Sequence, residues 1–378
     1  MPGCRALLVS FISDGEATGM GRWTRRVAAE LEARGWTVAL WFRERFPRAA
    51  RLGRTAVLLH PLALAADLLR ARRDFDVVVA HEPSSLWYAA LRHAPGRLPP
   101  LVVMSHGVES HMYRLRLEAA ARGLAKVPGS TRLKAPLVRL WQTDGALRLA
   151  DAVVCLSSAD ADYLERSLRV PPRRIFRMTN GVGPEFLAAR RAPDGGQRVL
   201  FVGGWLDNKG RGLLPELWRR VARAVPAARL TIAGTGFPEP TVRADLPPEL
   251  QQAVTVLPRV EPLQGMIDLY TSHDAFLMPS VSEGSPLSLL EAMATGLPPV
   301  AARTCGIPDI VTHETDGLLF EPLDIQGGAR ETIRLLGDPP LRRRLGDAAR
   351  ARAAQLTWAR AVEPLERAME HAMEVGRG

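Results

Sequence analysis

Two α/β domains, each a parallel sheet of Rossmann-like type, are the architecture this sequence predicts. Three observations carry that expectation. Apolar, β-branched runs alternate with helical patterns along the whole chain, the mark of βαβ units. The alternation comes as two similar series, separated by the polar, glycine-rich stretch Arg190-Arg-Ala-Pro-Asp-Gly-Gly196. A chain of 378 residues is also long for one hydrophobic core and comfortable for two. The expected arrangement is two sheets facing each other across a cleft, with no shorter repeat.

In the first series the strands are expected at Ala6–Ile12, Thr37–Phe42, Ala56–Leu59, Asp76–Ala80, Leu101–Ser105 and Ala152–Leu156, with a helix at Trp23–Arg34 stopping at Gly35. In the second they are Arg198–Gly203, Arg229–Ala233, Val254–Leu257, Ala275–Met278 and Pro299–Ala302. The domains are therefore set at 1–190 and 191–356. The remaining 357–378 holds Thr357-Trp358 and a helical pattern running to about Glu374.

Composition narrows the class. The net charge is +10, and only Lys126, Lys134 and Lys209 are lysines. Between Arg114 and Arg139 five arginines and two lysines stand against Glu118 alone, interleaved with Leu115, Leu117, Leu124, Val127, Leu133, Leu137 and Val138. Such a segment suits an anionic membrane surface, and equally a solvated helix pair with its apolar face on the core. Nucleic acid is not expected, since aromatic residues are sparse and no binding motif is present. Cys4, Cys155 and Cys305 are odd in number and far apart, so reduced thiols are expected rather than disulfides or a zinc site. Ala6–Ile12 reads as a first strand and not as a signal peptide, and no apolar run is long enough to span a bilayer. A cytoplasmic protein is expected, with peripheral association on the inner membrane face left open.

The stretch from Ser282 to Val300 carries the most chemistry. It follows the apolar strand Ala275–Met278, holds Glu283 and Glu291, and places Ser285 to cap a helix with Pro286 in its first turn and Gly296 at its end. A helix N-terminus at the carboxyl end of a parallel strand offers unpaired N–H groups to an anion. Carboxylates flanking an anion site suit a diphosphate joined to hydroxyl-rich rings, the outline of a nucleotide-sugar.

Glu283-Gly284 with Glu291-Ala-Met-Ala-Thr-Gly-Leu-Pro resembles the two-glutamate signature of the retaining glycosyltransferases of family four, which have the GT-B fold. Gly306-Ile-Pro-Asp-Ile-Val311 and Asp316-Gly-Leu-Leu-Phe320 continue the likeness, so Phe276 to Pro322 matches in order and spacing. The resemblance implies that Glu291 holds the ribose hydroxyls of the donor and Glu283 those of its sugar. It assigns the diphosphate to the amides of Gly284, Ser285 and Leu287 around Pro286, and to Lys209 after Gly203-Gly204. The family usually has an arginine where this chain has Gly204, and Arg211 or Arg259 are the candidates to replace it. Gly234-Thr-Gly236 fits the nucleotide-side loop, Gly19 and Gly21 fit the first loop beside Arg22, and His106 fits the histidine that orients the donor sugar. His111 and Glu109 have weaker claims, and the last helix is expected to cross back to the first domain.

The expected reaction moves a sugar from a nucleoside diphosphate to an acceptor hydroxyl with retention. Catalysis is assigned to His106, Glu283 and Lys209, without a cofactor or metal. The expected partners are the nucleotide-sugar and a glycan, glycolipid or small-molecule acceptor. A nucleotide-sugar epimerase, a phosphorylase and a catalytically silent binding partner are the competing readings.

Overall fold

A computed structural model of the chain describes residues 3–10, 19–45, 56–82, 84–92, 98–191, 197–261 and 263–376. The chain forms two compact units. The first comprises Met1–Met112, Pro128–Met178 and Trp358–Gly378, and the second Tyr113–Val127 and Thr179–Thr357. The crossing at Met178 lies upstream of the glycine-rich stretch expected as the linker, whose residues 192–196 lie outside the described residues.

The first unit is built on a parallel six-stranded sheet in the order β2-β1-β3-β4-β5-β6. Its strands are β1 (Arg5–Val9), β2 (Thr37–Trp41), β3 (Val77–His81), β4 (Leu101–Ser105), β5 (Ala152–Cys155) and β6 (Ile175–Arg177). The run Ala56–Leu59 is not the strand expected of it but the start of a helix, Ala56–Arg70. The apolar character continues through Leu62 and Leu64 to Leu68, and Pro61 is accommodated inside the helix rather than ending it. Ile12 of the expected first strand lies outside the described residues. The helix Glu363–Val375 packs on β3, β4, β5 and β6. Glu366 fixes it there, accepting from Arg34 Nη1 and from Trp36 Nε1, each at 2.9 Å.

The second unit has its own parallel sheet, in the order β12-β11-β10-β7-β8-β9. Its strands are β7 (Arg198–Val202), β8 (Arg229–Ala233), β9 (Val254–Leu257), β10 (Ala275–Met278), β11 (Pro299–Ala302) and β12 (Leu318–Phe320). Strand alternation divides these residues between two cores, one on each face of the sheet. Val199, Phe201, Ala275 and Leu277 enter one, with Trp218 and Leu217. Leu200, Phe276 and Met278 enter the other, with Tyr270, Leu290 and Met293. Burial on both faces explains why the strands read as unbroken apolar runs. A fully buried side chain such as Phe276 contributes about 1.5–3 kcal/mol to stability.

None of the three cysteines is in a disulfide; Cys155 is buried, and Cys4 and Cys305 are half-buried. Among the described residues no helix is long and apolar enough to cross a membrane.

Candidate active site

In the second unit the sequence of strands reverses direction between neighbours β7 and β10, and such a switch opens a crevice at the strands' carboxyl ends. After β7 the chain passes Gly203 and Gly204 into a tight turn, Asp207–Lys209. After β10 it runs through Pro279–Pro286 into the helix Leu287–Ala294. The Asn208 carbonyl accepts from Val281 N at 2.8 Å, which joins the two loops. Gly210 makes that junction possible: its φ is +90°, and a Cβ there would stand 2.2 Å from the Pro279 carbonyl oxygen. The result is a fixed ion pair. Lys209 Nζ lies 2.6 Å from Glu283 Oε1 and 2.8 Å from Oε2, while Ser280 Oγ donates to Oε1 at 2.9 Å. The Glu283 side chain is only 7% exposed, so its charge is held by three polar contacts rather than by bulk water.

The helix begins one residue later than expected. Pro286 occupies the N-cap position with no side-chain cap, and Ser285 does not cap the helix. Ser285 Oγ instead accepts from Asn180 N at 2.9 Å, and the Ser285 carbonyl accepts from Asn180 Nδ2 at 2.6 Å. Asn180 thus braces the loop that precedes the helix. The first N–H groups of the helix have no intrahelical acceptors, and its dipole favours an anion at this end. Glu291, on the buried side of the same helix, accepts from Tyr270 OH at 2.8 Å. Gly296, at φ +84°, follows the helix as expected.

Gly234 and Gly236, both at φ +69°, carry the chain sharply out of β8, and Thr235 between them accepts from Trp205 N at 2.9 Å. This places the β8 loop beside Gly203 and Gly204. The expected substitutes for the missing arginine are engaged elsewhere: Arg211 binds Asp245 at 2.7 and 3.2 Å, and Arg259 binds Glu261 at 2.8 Å. A side chain at Gly204 would first meet the end of Leu206, at 3.3 Å, and the backbone there does not have a positive φ.

His106 belongs to the first unit, directly after β4. Its ring stacks on His81 at 4.7 Å and 16°, and Trp23 packs edge-on against both, 4.7 Å from His106 and 5.8 Å from His81. Burial, with a smaller push from His81, holds the His106 pKa well below its usual value, and burial lowers His81 to about 4. Both imidazoles are therefore neutral at neutral pH. Glu82, beside them, accepts from Ser105 Oγ at 2.7 Å, and burial pushes its carboxyl up to about 8. Gly19 and Gly21 lie in the first turns of the helix Gly19–Ala33, not in the loop before it, which falls outside the described residues. His111 and Glu109 have structural partners: His111 Nδ1 lies 2.8 Å from Asp160 Oδ1 with its ring stacked on Tyr163, and Glu109 is gripped by Arg139.

The nucleotide-side residues Gly203, Gly204, Lys209, Gly234, Gly236, Glu283–Leu287 and Glu291 thus gather on loops and a helix at one end of the second sheet, whereas His106, Gly19 and Gly21 belong to the first unit. Sequence reading missed His81 and Glu82, although both sit at the carboxyl end of β3, the same kind of position that drew attention to His106. The chain also holds two Asp-x-Asp triplets, and both are engaged in the fold. Asp76 accepts from Arg5 N at 2.7 Å, Asp160 meets His111, and Asp162 pairs with Arg166 at 3.7 Å. Among the described residues no three His, Cys, Asp or Glu side chains group as metal ligands.

Glu82 gives a pH dependence of stability. Its folded pKa, about 8, exceeds the ordinary 4.5, so its contribution is complete below 4.5 and is lost as pH rises to about 8. Glu82→Gln is expected to flatten this loss between pH 4.5 and about 8, on the order of 1–3 kcal/mol since the side chain is only partly buried. Melting curves across that range check it, and an unchanged slope would remove Glu82 as its source.

Two family descriptions match the chain: Glycosyltransferase Family 4 over residues 17–186 and Glycosyl transferases group 1 over residues 196–338. D-inositol 3-phosphate glycosyltransferase 1 of Catenulispora acidiphila is 30% identical over 335 residues, covering 83% of this chain and 76% of that protein. Sulfoquinovosyl transferase SQD2 of Arabidopsis thaliana is 37% identical over 321 residues, covering 79% of this chain but only 57% of its own length. Among solved structures, Anabaena HepE in complex with UDP and glucose superposes with a TM-score of 0.70 at 16% identity, covering 97% of this chain and 99% of that one.

Proposed function

Because this chain belongs to the family-four glycosyltransferases, enzymes of the GT-B fold, we propose that it transfers a sugar from a nucleoside diphosphate to an acceptor hydroxyl with retention at the anomeric carbon. The observation that carries the reading is the Lys209–Glu283 pair set at the N-terminus of the helix Leu287–Ala294. As the anomeric C–O bond breaks, its electron pair goes to the diphosphate. The amides of Gly284, Ser285 and Leu287, the helix dipole and Lys209 stabilise the charge that develops there. The acceptor oxygen bonds to the same face of the sugar, and its proton passes to the leaving phosphate oxygen. Glu283 holds sugar hydroxyls and Glu291 the ribose, both as hydrogen-bond acceptors. His106 is assigned to the donor sugar as a neutral imidazole, whose ring orientation the contacts with His81 and Trp23 fix. In this scheme the helix end and Lys209 take the role of a metal ion, so no cofactor is required.

The Anabaena protein binds UDP, which makes a UDP-sugar the first donor to try. We assign the acceptor to envelope or extracellular glycan or glycolipid synthesis, with the chain peripheral on an anionic membrane face. A small phosphorylated acceptor is the next choice, since the name of the Catenulispora relative includes D-inositol 3-phosphate. The second reading is a catalytically silent partner, favoured by Gly204 where the family's arginine is usual. Product NMR separates the possibilities. An α-linked donor is expected to give an α-linked product. A β-linked product would overturn retention, and donor binding without turnover would favour the silent partner.

A further inference from the structure

Ten large apolar side chains stand out as exposed among the described residues, and six of them share one region of the first unit. They are Leu62, Trp87, Leu91, Leu133, Leu137 and Trp141. The elements that carry them, Ala56–Arg70, Leu86–Leu91, Gly129–Lys134, the π-helix Ala135–Leu140 and Trp141–Leu149, pack side by side. Trp87 and Trp141 meet edge to face at 6.4 Å, which joins two of these elements into one surface. Leu133, Leu137 and Trp141 recur every fourth residue, so they form a single stripe. Leu133 and Leu137 are 67% and 68% exposed, and neither Gly129–Lys134 nor Ala135–Leu140 has a buried residue. Scattered exposed leucines are ordinary, whereas a continuous stripe with two tryptophans marks an interaction surface.

Charge identifies the partner. From Leu124 to Thr143 the chain has Lys126, Arg132, Lys134 and Arg139 and no acidic residue. Cations bordering leucines and tryptophans are the composition of a face that lies in a lipid interface. There the indoles sit at headgroup depth, and arginine and lysine meet phosphates.

The two halves of the basic segment part company. Leu115 and Leu124 pack against Leu213 and Val281 inside the second unit, and Arg116 pairs with Asp207 at 3.1 Å. The first half therefore answers to the solvated-helix reading, and only the second half presents apolar residues outward. Arg139 is held by Glu109, so a charge reversal there would test fold stability as well as lipid contact.

We propose that the face formed by Trp87, Leu91, Leu133, Leu137 and Trp141, bordered by Arg132 and Lys134, docks on an anionic lipid bilayer. This deepens the peripheral location proposed above by naming the surface, and it does not depend on the donor chemistry.

The test uses the full chain with sucrose-loaded vesicles of phosphatidylcholine, with and without phosphatidylglycerol, read by co-sedimentation. Wild type is expected to partition onto the anionic vesicles in preference to the neutral ones. Leu133→Glu with Leu137→Glu should cut that partition tenfold or more, roughly, because both apolar anchors are lost. Arg132→Glu with Lys134→Glu should cut it by about fivefold for each charge, and only on anionic vesicles. All four positions are solvent-exposed, so the variants should keep the wild-type melting temperature and the wild-type response to donor. Unchanged partition in both double variants would overturn the proposal. So would sedimentation velocity showing a dimer that the leucine variants dissociate, since the face would then belong to a second copy. Loss of vesicle binding with an intact donor response supports docking. An absent donor response with normal vesicle binding would count against the transferase reading alone.

Discussion

Lys209→Ala is expected to lower kcat/KM by about a hundred- to a thousand-fold, the range seen when one preorganised donor to a developing anion is removed. The ammonium sits where the β7 loop meets the anion-facing end of the helix Leu287–Ala294. The same substitution strands the buried Glu283 carboxylate, which would retain the hydrogen bond donated by Ser280 Oγ. Breaking a pair of this kind costs about 3–5 kcal/mol, so a fall in activity could report only a damaged fold. The double variant Lys209→Ala with Glu283→Gln separates the two effects. Neutralising the stranded carboxylate should recover most of the melting temperature while activity stays low. Recovery of both would reduce the pair to a structural role. Lys209→Arg keeps a positive charge but replaces a compact ammonium with a broad fork, so partial activity is expected.

Glu291→Gln should weaken nucleotide-sugar binding by about ten- to a hundred-fold, the loss of charge-assisted hydrogen bonds to ribose hydroxyls. The glutamine carbonyl still accepts from Tyr270 OH, so melting should change by no more than about 1 kcal/mol. Glu291→Ala removes that acceptor from the buried phenol and should cost roughly 1–3 kcal/mol in addition. Titration calorimetry with donor checks the affinity, and wild-type binding by Glu291→Gln would take the ribose role away from this residue.

Much of the second sheet was legible in the sequence because its strands are buried on both faces. Val199 to Val202 and Ala275 to Met278 have no polar interruption, so the run and the strand nearly coincide. The three-residue strands β6 and β12 escaped notice because so short a segment shows no periodicity. Ala56–Leu59 misled for a related reason. An apolar tetrad is compatible with strand or helix, and the helix that starts there runs on through Pro61.

At the site, chemical types were readable and contacts were not. Glu283, Lys209 and His106 announced themselves by motif and by position after strands. That Lys209 bonds Glu283, that Tyr270 bonds Glu291, and that Arg211 is committed to Asp245 depend on pairings 74, 21 and 34 residues apart. Composition carries no record of such pairings. Glu82 stayed hidden because its perturbation comes from burial, which the tripeptide His-Glu-Pro does not reveal.

The central claim is that a nucleotide-sugar binds at the β7–β10 switch of the second unit. The most direct test is a thermal-shift panel of UDP-, GDP- and ADP-sugars against wild type and Glu291→Gln side by side. One nucleotide should raise the wild-type melting temperature and leave the variant nearly unmoved, which also names the donor base. A panel in which no nucleotide stabilises the wild type, or in which both proteins respond equally, would contradict the site.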